Sequence, residues 1–229
     1  MALPYYVSPE QMMQDKAEYA RKGIARGKSI IVLEYADGML LVAENPSASL
    51  NKISEIYDRI AFAGAGRYSE FENLRKAGIR YADLKGFAYD REDVTAKSLA
   101  NAYSQTIGNI FSEAMKPLEV EILVVEVADG DPPNELYRIT FDGSIGDEKG
   151  FAAIGGQAEE LRQYLKDKYE TGLDQRAALR LATQALEAVG NAKVKPQSLE
   201  VAVLERSRTG RKFRRLPQDD LIAILTDTE

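Results

Sequence analysis

The sequence predicts an α+β protein in which two antiparallel sheets lie between two pairs of helices. Helix-like and strand-like segments come in blocks: one helix, four strands, two helices, three strands, two helices, two strands and a short closing helix. That order excludes βαβ alternation and favours antiparallel sheets with segregated helices. Both arms of the first hairpin are near-continuously apolar, which suits a sheet covered on both faces. The third observation is the balance of the chain: 229 residues, 45% hydrophobic and 29% charged. A chain of this length buries roughly 70–75% of its unfolded surface, so a single domain over 1–229 needs no disulfide or metal to hold its core.

Ser8-Pro9-Glu10-Gln11 starts the first helix. Ser8 is the cap, Pro9 fits the first helical position, and Gln11 is placed to complete a capping box. Met13, Ala17, Ala20 and Ile24 then follow on one face. Arg21, Lys22 and Arg26 complement the dipole at the far end, and Gly27 stops the helix. Ser8 to Arg26 spans roughly 28 Å. The hairpin follows, Ser29–Tyr35 and Met39–Ala43, with Asp37-Gly38 as its turn. A second strand pair covers Ile53–Tyr57 and Ile60–Ala65. Helices are expected at Tyr68–Leu84 and Asp93–Met115. Strands return at Glu119–Val127, Glu135–Phe141 and Gly150–Ile154, the first two joined by Asp129-Gly130-Asp131-Pro132-Pro133. Two more helices, Gln157–Tyr169 and Asp174–Val189, precede strands Leu199–Leu204 and Lys212–Leu216. A helix over Gln218–Leu225 closes the chain.

Composition removes several chemistries. There is no cysteine and no histidine. A Cys nucleophile, Ser-His and Cys-His dyads, and zinc sites built on thiolate or imidazole are all excluded. No cofactor is called for. Absence of cysteine fits a reducing cytoplasm. The N-terminus reads as no secretory signal, and no apolar run approaches the ~18 residues of a membrane span. Net charge is −6 and the isoelectric point about 5.0, which argues against nucleic-acid binding by bulk electrostatics.

Several stretches together resemble proteasome core-particle α-type subunits, most closely the actinobacterial kind. They are Tyr6-Val7-Ser8-Pro9-Glu10-Gln11, Glu18-Tyr19-Ala20-Arg21-Lys22-Gly23, Asp37-Gly38 with Val42-Ala43-Glu44-Asn45, Lys52-Ile53-Ser54-Glu55-Ile56-Tyr57-Asp58-Arg59, Phe141-Asp142-Gly143-Ser144, Gly155-Gly156-Gln157-Ala158, and Arg211-Lys212-Phe213-Arg214-Arg215. The resemblance covers nearly the whole chain. It implies a four-layer αββα sandwich, the N-terminal-nucleophile hydrolase fold, with an N-terminal helical extension. It also implies outer seven-membered α rings on inner β rings, with peptide cleavage carried by the β subunits. By the same resemblance, Met1, Ala2, Leu3, Pro4, Tyr5, Tyr6 and Val7 form a gate over the axial pore. The partners implied are other copies of the chain, β subunits, a ring-shaped ATPase and unfolded substrates in transit; nucleic acid and membrane are not among them. The Tyr-Asp-Arg of archaeal and eukaryotic gates is replaced here by Tyr5-Tyr6-Val7-Ser8, as in the actinobacterial pattern.

Catalysis by this fold needs a Thr, Ser or Cys whose own α-amine is freed by processing. No threonine precedes Thr95, and the hydroxyl nearest the first strand is Ser29, after Lys28. The expectation is a non-catalytic subunit. The alternative is a hydrolase using Ser29 after loss of the preceding residues. Glu44 and Lys52 stand where related β subunits keep a carboxylate and a lysine. The resemblance assigns Lys52 a second role: pairing with the terminal carboxylate of an activator tail, with Gly27 lining the same pocket. Such a charge-assisted bond is worth about 1.5–3 kcal/mol when partly desolvated and ~0–1 when exposed. On its residues alone, Lys52 also fits a solvated strand-edge charge beside Glu55.

Other motifs point elsewhere. Gly155-Gly156 before a helix and Gly27-Lys28-Ser29 before a strand read as tight turns rather than phosphate cradles. Arg206, Arg208, Arg211, Lys212, Arg214 and Arg215 form a basic cluster, read as one charged hairpin face meeting an acidic neighbouring subunit. Glu34, Glu44, Glu55 and Asp58 match no calcium loop and read as solvated or ion-paired carboxylates, so no metal site is assigned.

Overall fold

A computed structural model describes residues 8–47, 49–130 and 133–226. The chain runs α1 (Pro9–Ala25), β1 (Ile30–Tyr35), β2 (Gly38–Glu44), β3 (Ile53–Tyr57), β4 (Ile60–Gly66), α2 (Tyr68–Ala88), α3 (Ala96–Glu113), β5 (Val120–Glu126), β6 (Glu135–Ile139), β7 (Ile145–Asp147), β8 (Phe151–Ile154), α4 (Ala158–Lys168), α5 (Gln175–Gly190), β9 (Leu199–Glu205), β10 (Phe213–Arg215) and α6 (Gln218–Thr226). Two five-stranded sheets form, in the orders β10-β9-β2-β1-β8 and β3-β4-β5-β6-β7, with every neighbouring pair antiparallel.

The period of two along each strand sorts the apolar side chains into three layers. Ile31, Leu33, Leu40, Val42, Val201 and Val203 face one way and pack under α4, α5 and α6. Their neighbours Ile30, Val32, Met39, Leu41, Ala202 and Leu204 face the other way, against Ala61, Ala63, Leu123 and Val125 of the second sheet. The far face of that sheet, Ile60, Phe62, Ile122 and Val124, meets α2 and α3 through Phe71, Leu74, Leu99 and Ile107. Central strands are therefore apolar on both faces, and β2 is buried throughout except at Glu44. The αββα sandwich is the result.

α1 stands at one end of these layers. Only Lys16, Ala20 and Ile24 are buried, and Ala20 and Ile24 pack with Ala17, Phe111 and Phe141. The Lys16 ammonium donates to the carbonyls of Phe111 (3.1 Å) and Ser112 (3.5 Å) at the end of α3, where the helix dipole favours a cation. Met13, expected on the same buried face, is exposed; the first turns of α1 project from the body. Ser8 caps Gln11 as expected, but the capping box is incomplete, because the Gln11 amide turns forward and donates to Asp15 at 2.8 Å.

Two expected elements differ. The strand expected over Glu135–Phe141 ends at Ile139; the chain then turns through Thr140–Ser144 and returns as an additional strand, β7. Asp142 accepts from the Thr140 hydroxyl and the Ser144 amide, while Gly143 supplies φ +86°. The helix expected from Asp93 begins at Ala96 instead. A complete capping box between Thr95 and Ser98 sets its start, and Arg91–Asp93 forms a separate single 3₁₀ turn.

Candidate functional site

Where α1 enters β1, the backbone is packed against two other turns. The Gly27 amide donates to Ile24 O (2.8 Å), and its carbonyl accepts from the Gly156 amide (3.0 Å). A methyl group at Gly27 would lie 2.9 Å from Gly66 N and 3.1 Å from Ile24 O, both backbone atoms. Gly66 and Gly155 hold φ of +103° and +101°, a region that favours glycine. Glycine at these crossings lets three chain segments meet at backbone distance. With the Gly156 amide committed to Gly27, the Gly155-Gly156 turn is a packing device, as expected.

Lys52 reaches this junction from the start of β3. Asn45 fastens the preceding loop, donating to Leu50 O (2.6 Å) and to Glu200 Oε2 (2.8 Å). Glu200 also accepts from the amides of Lys52 (2.8 Å) and Ile53 (3.1 Å) and pairs with Arg215. Lys52 O accepts from the Gly64 amide at 3.0 Å. With its backbone fixed on both sides, the half-buried Lys52 side chain donates from Nζ to Lys28 O at 2.7 Å. The structure thus brings Lys52 and Gly27 together through the one residue between Gly27 and Ser29.

The electrostatics leave this lysine underpaired. Glu200 is spent on two amides, Asn45 and Arg215, and no carboxylate among the described residues forms an ion pair with the Lys52 ammonium. Burial pushes its pKa down to about 8; Glu200 and Glu44 pull back, and Lys28 adds to the depression. The Lys28 side chain instead pairs with Glu44, Nζ to Oε1, at 2.7 Å. Glu55, the neighbour expected for Lys52, pairs with Arg211. Sequence spacing revealed neither Glu200, 148 positions away, nor the Lys28–Glu44 pair; only the fold places them here.

Ser29 is buried, and its carbonyl accepts from the Glu44 amide at 3.1 Å. Lys28 and Gly27 lie between it and the end of α1. Residues Met1, Ala2, Leu3, Pro4, Tyr5, Tyr6 and Val7, expected to form a gate, lie outside the described residues.

The basic cluster needs a correction. It is not a free charged face awaiting an acidic neighbour. Arg211 pairs with Glu55, Arg214 with Glu205 and Arg215 with Glu200. Buried Lys212 pairs with Asp129 at 2.7 Å and donates to the carbonyls of Arg206 and Arg208. Arg206 donates to Asn134 at 2.9 Å. Arg206, Arg211 and Lys212 fasten the β9–β10 hairpin to the second sheet and its β5–β6 loop, while the Arg214 and Arg215 ion pairs brace β10 on β9. The four scattered carboxylates have separate partners too: Asn134 for Glu34, Lys28 for Glu44, Arg211 for Glu55 and Arg91 for Asp58.

A four-layer αββα sandwich with a helix ahead of its first strand, and a lysine at the mouth of that strand, defines the class: the N-terminal-nucleophile hydrolase fold carrying an N-terminal extension. Residues 24–204 match the family described as "Proteasome subunit". The chain is 54% identical to a proteasome subunit alpha of Thermomonospora curvata, with 99% of each chain covered. It is 57% identical to a proteasome subunit alpha of Actinosynnema mirum, covering all of this chain and 89% of that protein. It is 53% identical to a proteasome subunit alpha of Kineococcus radiotolerans over the full length of both. The chain belongs to the proteasome subunit family, on its α-type, actinobacterial branch. Among the described residues no helix is long and apolar enough to cross a membrane.

Proposed function

We propose that this chain is a non-catalytic subunit of a cytoplasmic bacterial 20S core. Seven copies form each outer ring, which templates a β ring, gates substrate admission and docks a ring-shaped ATPase that delivers tagged proteins. In this reading residues 1–229 are one α-type unit, with 1–27 as gate segment and N-terminal helix. Cleavage belongs to the β subunits. The observation that carries the reading is the state of Ser29. It is buried, and the residues ahead of it are folded as a capped helix packed on Phe111 and Phe141. A nucleophile that must borrow its own α-amine would need that helix cut away first.

Lys52 is the docking residue for the terminal carboxylate of the ATPase tail, and Gly27 lines that pocket. Support comes from a half-buried ammonium with a carbonyl partner and no paired carboxylate. An arriving carboxylate gains a charge-assisted bond in a partly desolvated place, and several tails engaging one ring add avidity. The test is reconstitution. Sedimentation of the chain with its β partner should give a large particle that hydrolyses peptide, while the chain alone hydrolyses none. Lys52→Ala should assemble normally yet lose most ATPase-stimulated degradation at limiting ATPase. A monomer indifferent to the β partner contradicts the ring role, and undiminished stimulation removes Lys52 from the site.

A further inference from the structure

We infer that Lys28 is a second cation of the tail-binding site, held in reserve by Glu44 until a carboxylate arrives. The inference rests on the docking reading above and deepens it. Lys28 is bound to the site at both ends. Its carbonyl accepts the Lys52 ammonium at 2.7 Å, and its own ammonium is turned onto Glu44 at 2.7 Å. Glu44 ends β2 and is fixed through its backbone, since its amide donates to Ser29 O. Two lysines and one usable carboxylate therefore share the junction beside Gly27; Glu200, the other acid nearby, is already filled by Asn45, two amides and Arg215.

The two ion-pair partners differ in how firmly they are held. Side-chain exposure is 56% for Lys28 and 29% for Glu44. An exposed pair contributes only ~0–1 kcal/mol, so exchanging its partner is cheap. An incoming terminal carboxylate has two oxygens, one for the Lys52 ammonium and one for Lys28. When Lys28, the more exposed partner, turns to it, Glu44 is left to the water that already reaches its less exposed side chain. The same glutamate, left in place, screens the site against weak or non-carboxylate anions, which is specificity by competition.

The test uses the assembled core particle and a synthetic peptide copying the last eight or so residues of the cognate ATPase, as the free acid and as the terminal amide. Lys28→Gln should weaken free-acid binding about two- to fivefold, the range of a partly exposed pair. Glu44→Gln should tighten it by about the same factor. In the Lys28→Gln background the gain from Glu44→Gln should vanish, because the two act as one unit. The amide should be insensitive to both substitutions. A gain that persists without Lys28 makes Glu44 a through-space field and overturns the exchange. Unchanged binding in both single variants, with Lys52→Gln still damaging, overturns the role of Lys28 and leaves Lys52 standing. If Lys52→Gln is silent as well, the docking reading itself fails.

Discussion

Burial without an ion-pair partner suits Lys52 to the docking role proposed for it. The depressed pKa, about 8, gives docking a pH dependence. In the proposed role the protonated lysine would bind the tail carboxylate and the neutral amine would not. Affinity should therefore hold below about pH 8 and fall as pH rises through it, by up to tenfold per unit. Peptide binding to the assembled particle at about pH 7 and pH 9 checks this. A Lys52→Arg variant should flatten the profile, because guanidinium stays charged; a flat wild-type profile would remove the titrating lysine from the contact. Gly27 acts through space rather than charge. Gly27→Ala places a methyl group against two backbone atoms, so it should cost about 1–3 kcal/mol of stability, seen as a lower melting temperature of the isolated chain. At this scale the sequence singled out two residues of the junction but not its wiring. Lys52 opens a stretch, 52–59, that resembles a known family, and Gly27 was named only because that resemblance implies a tail pocket; the structure sets the two side by side. Glu200 was not singled out, because a single glutamate in a β-strand carries no sign that loop 45–52 will fold onto it.

Among the elements, strands and helices were legible where the pattern was long. The hairpin of β1 and β2, the pair β3 and β4, and all the long helices follow from apolar period and turn residues. β7 was not, since three residues between two turns give no period to read. Nor does chain order reveal which sheet a strand joins. β8 follows β6 and β7 closely in sequence, yet it pairs with β1 in the other sheet, its Ala152, Ala153 and Ile154 against Val32, Ile31 and Ile30. The helix expected from Asp93 starts three residues later, at Ala96, because Thr95 and Ser98 form the reciprocal box. Thr95→Ala should therefore destabilise the fold by about 1 kcal/mol, while Asp93→Ala should do much less. Thermal unfolding of the two variants compares them directly.

For the whole molecule, the four layers bury Ser29 at the start of the first strand, directly behind α1. The folded body is complete without the helix, yet α1 is joined to it through Ala20, Ile24, Phe111 and Phe141, and by Lys16 on the end of α3. An extension secured in this way is suited to be retained rather than cleaved. The described start of α1 is exposed, and residues 1–7 precede it in sequence. Deleting them should raise basal peptide turnover of the full particle without changing its assembly; flat turnover would show that they are not the barrier. The overall charge is −6, and Arg211, Lys212, Arg214 and Arg215 are each paired with a carboxylate of the same chain.

The most direct test is intact-mass measurement of both subunits after the assembled particle is treated with a hydroxyl-directed proteasome inhibitor. The β chain should carry the adduct, and this chain should keep its helical extension and remain unmodified. A chain shortened by 28 residues, starting at Ser29 and bearing the inhibitor, would contradict the account.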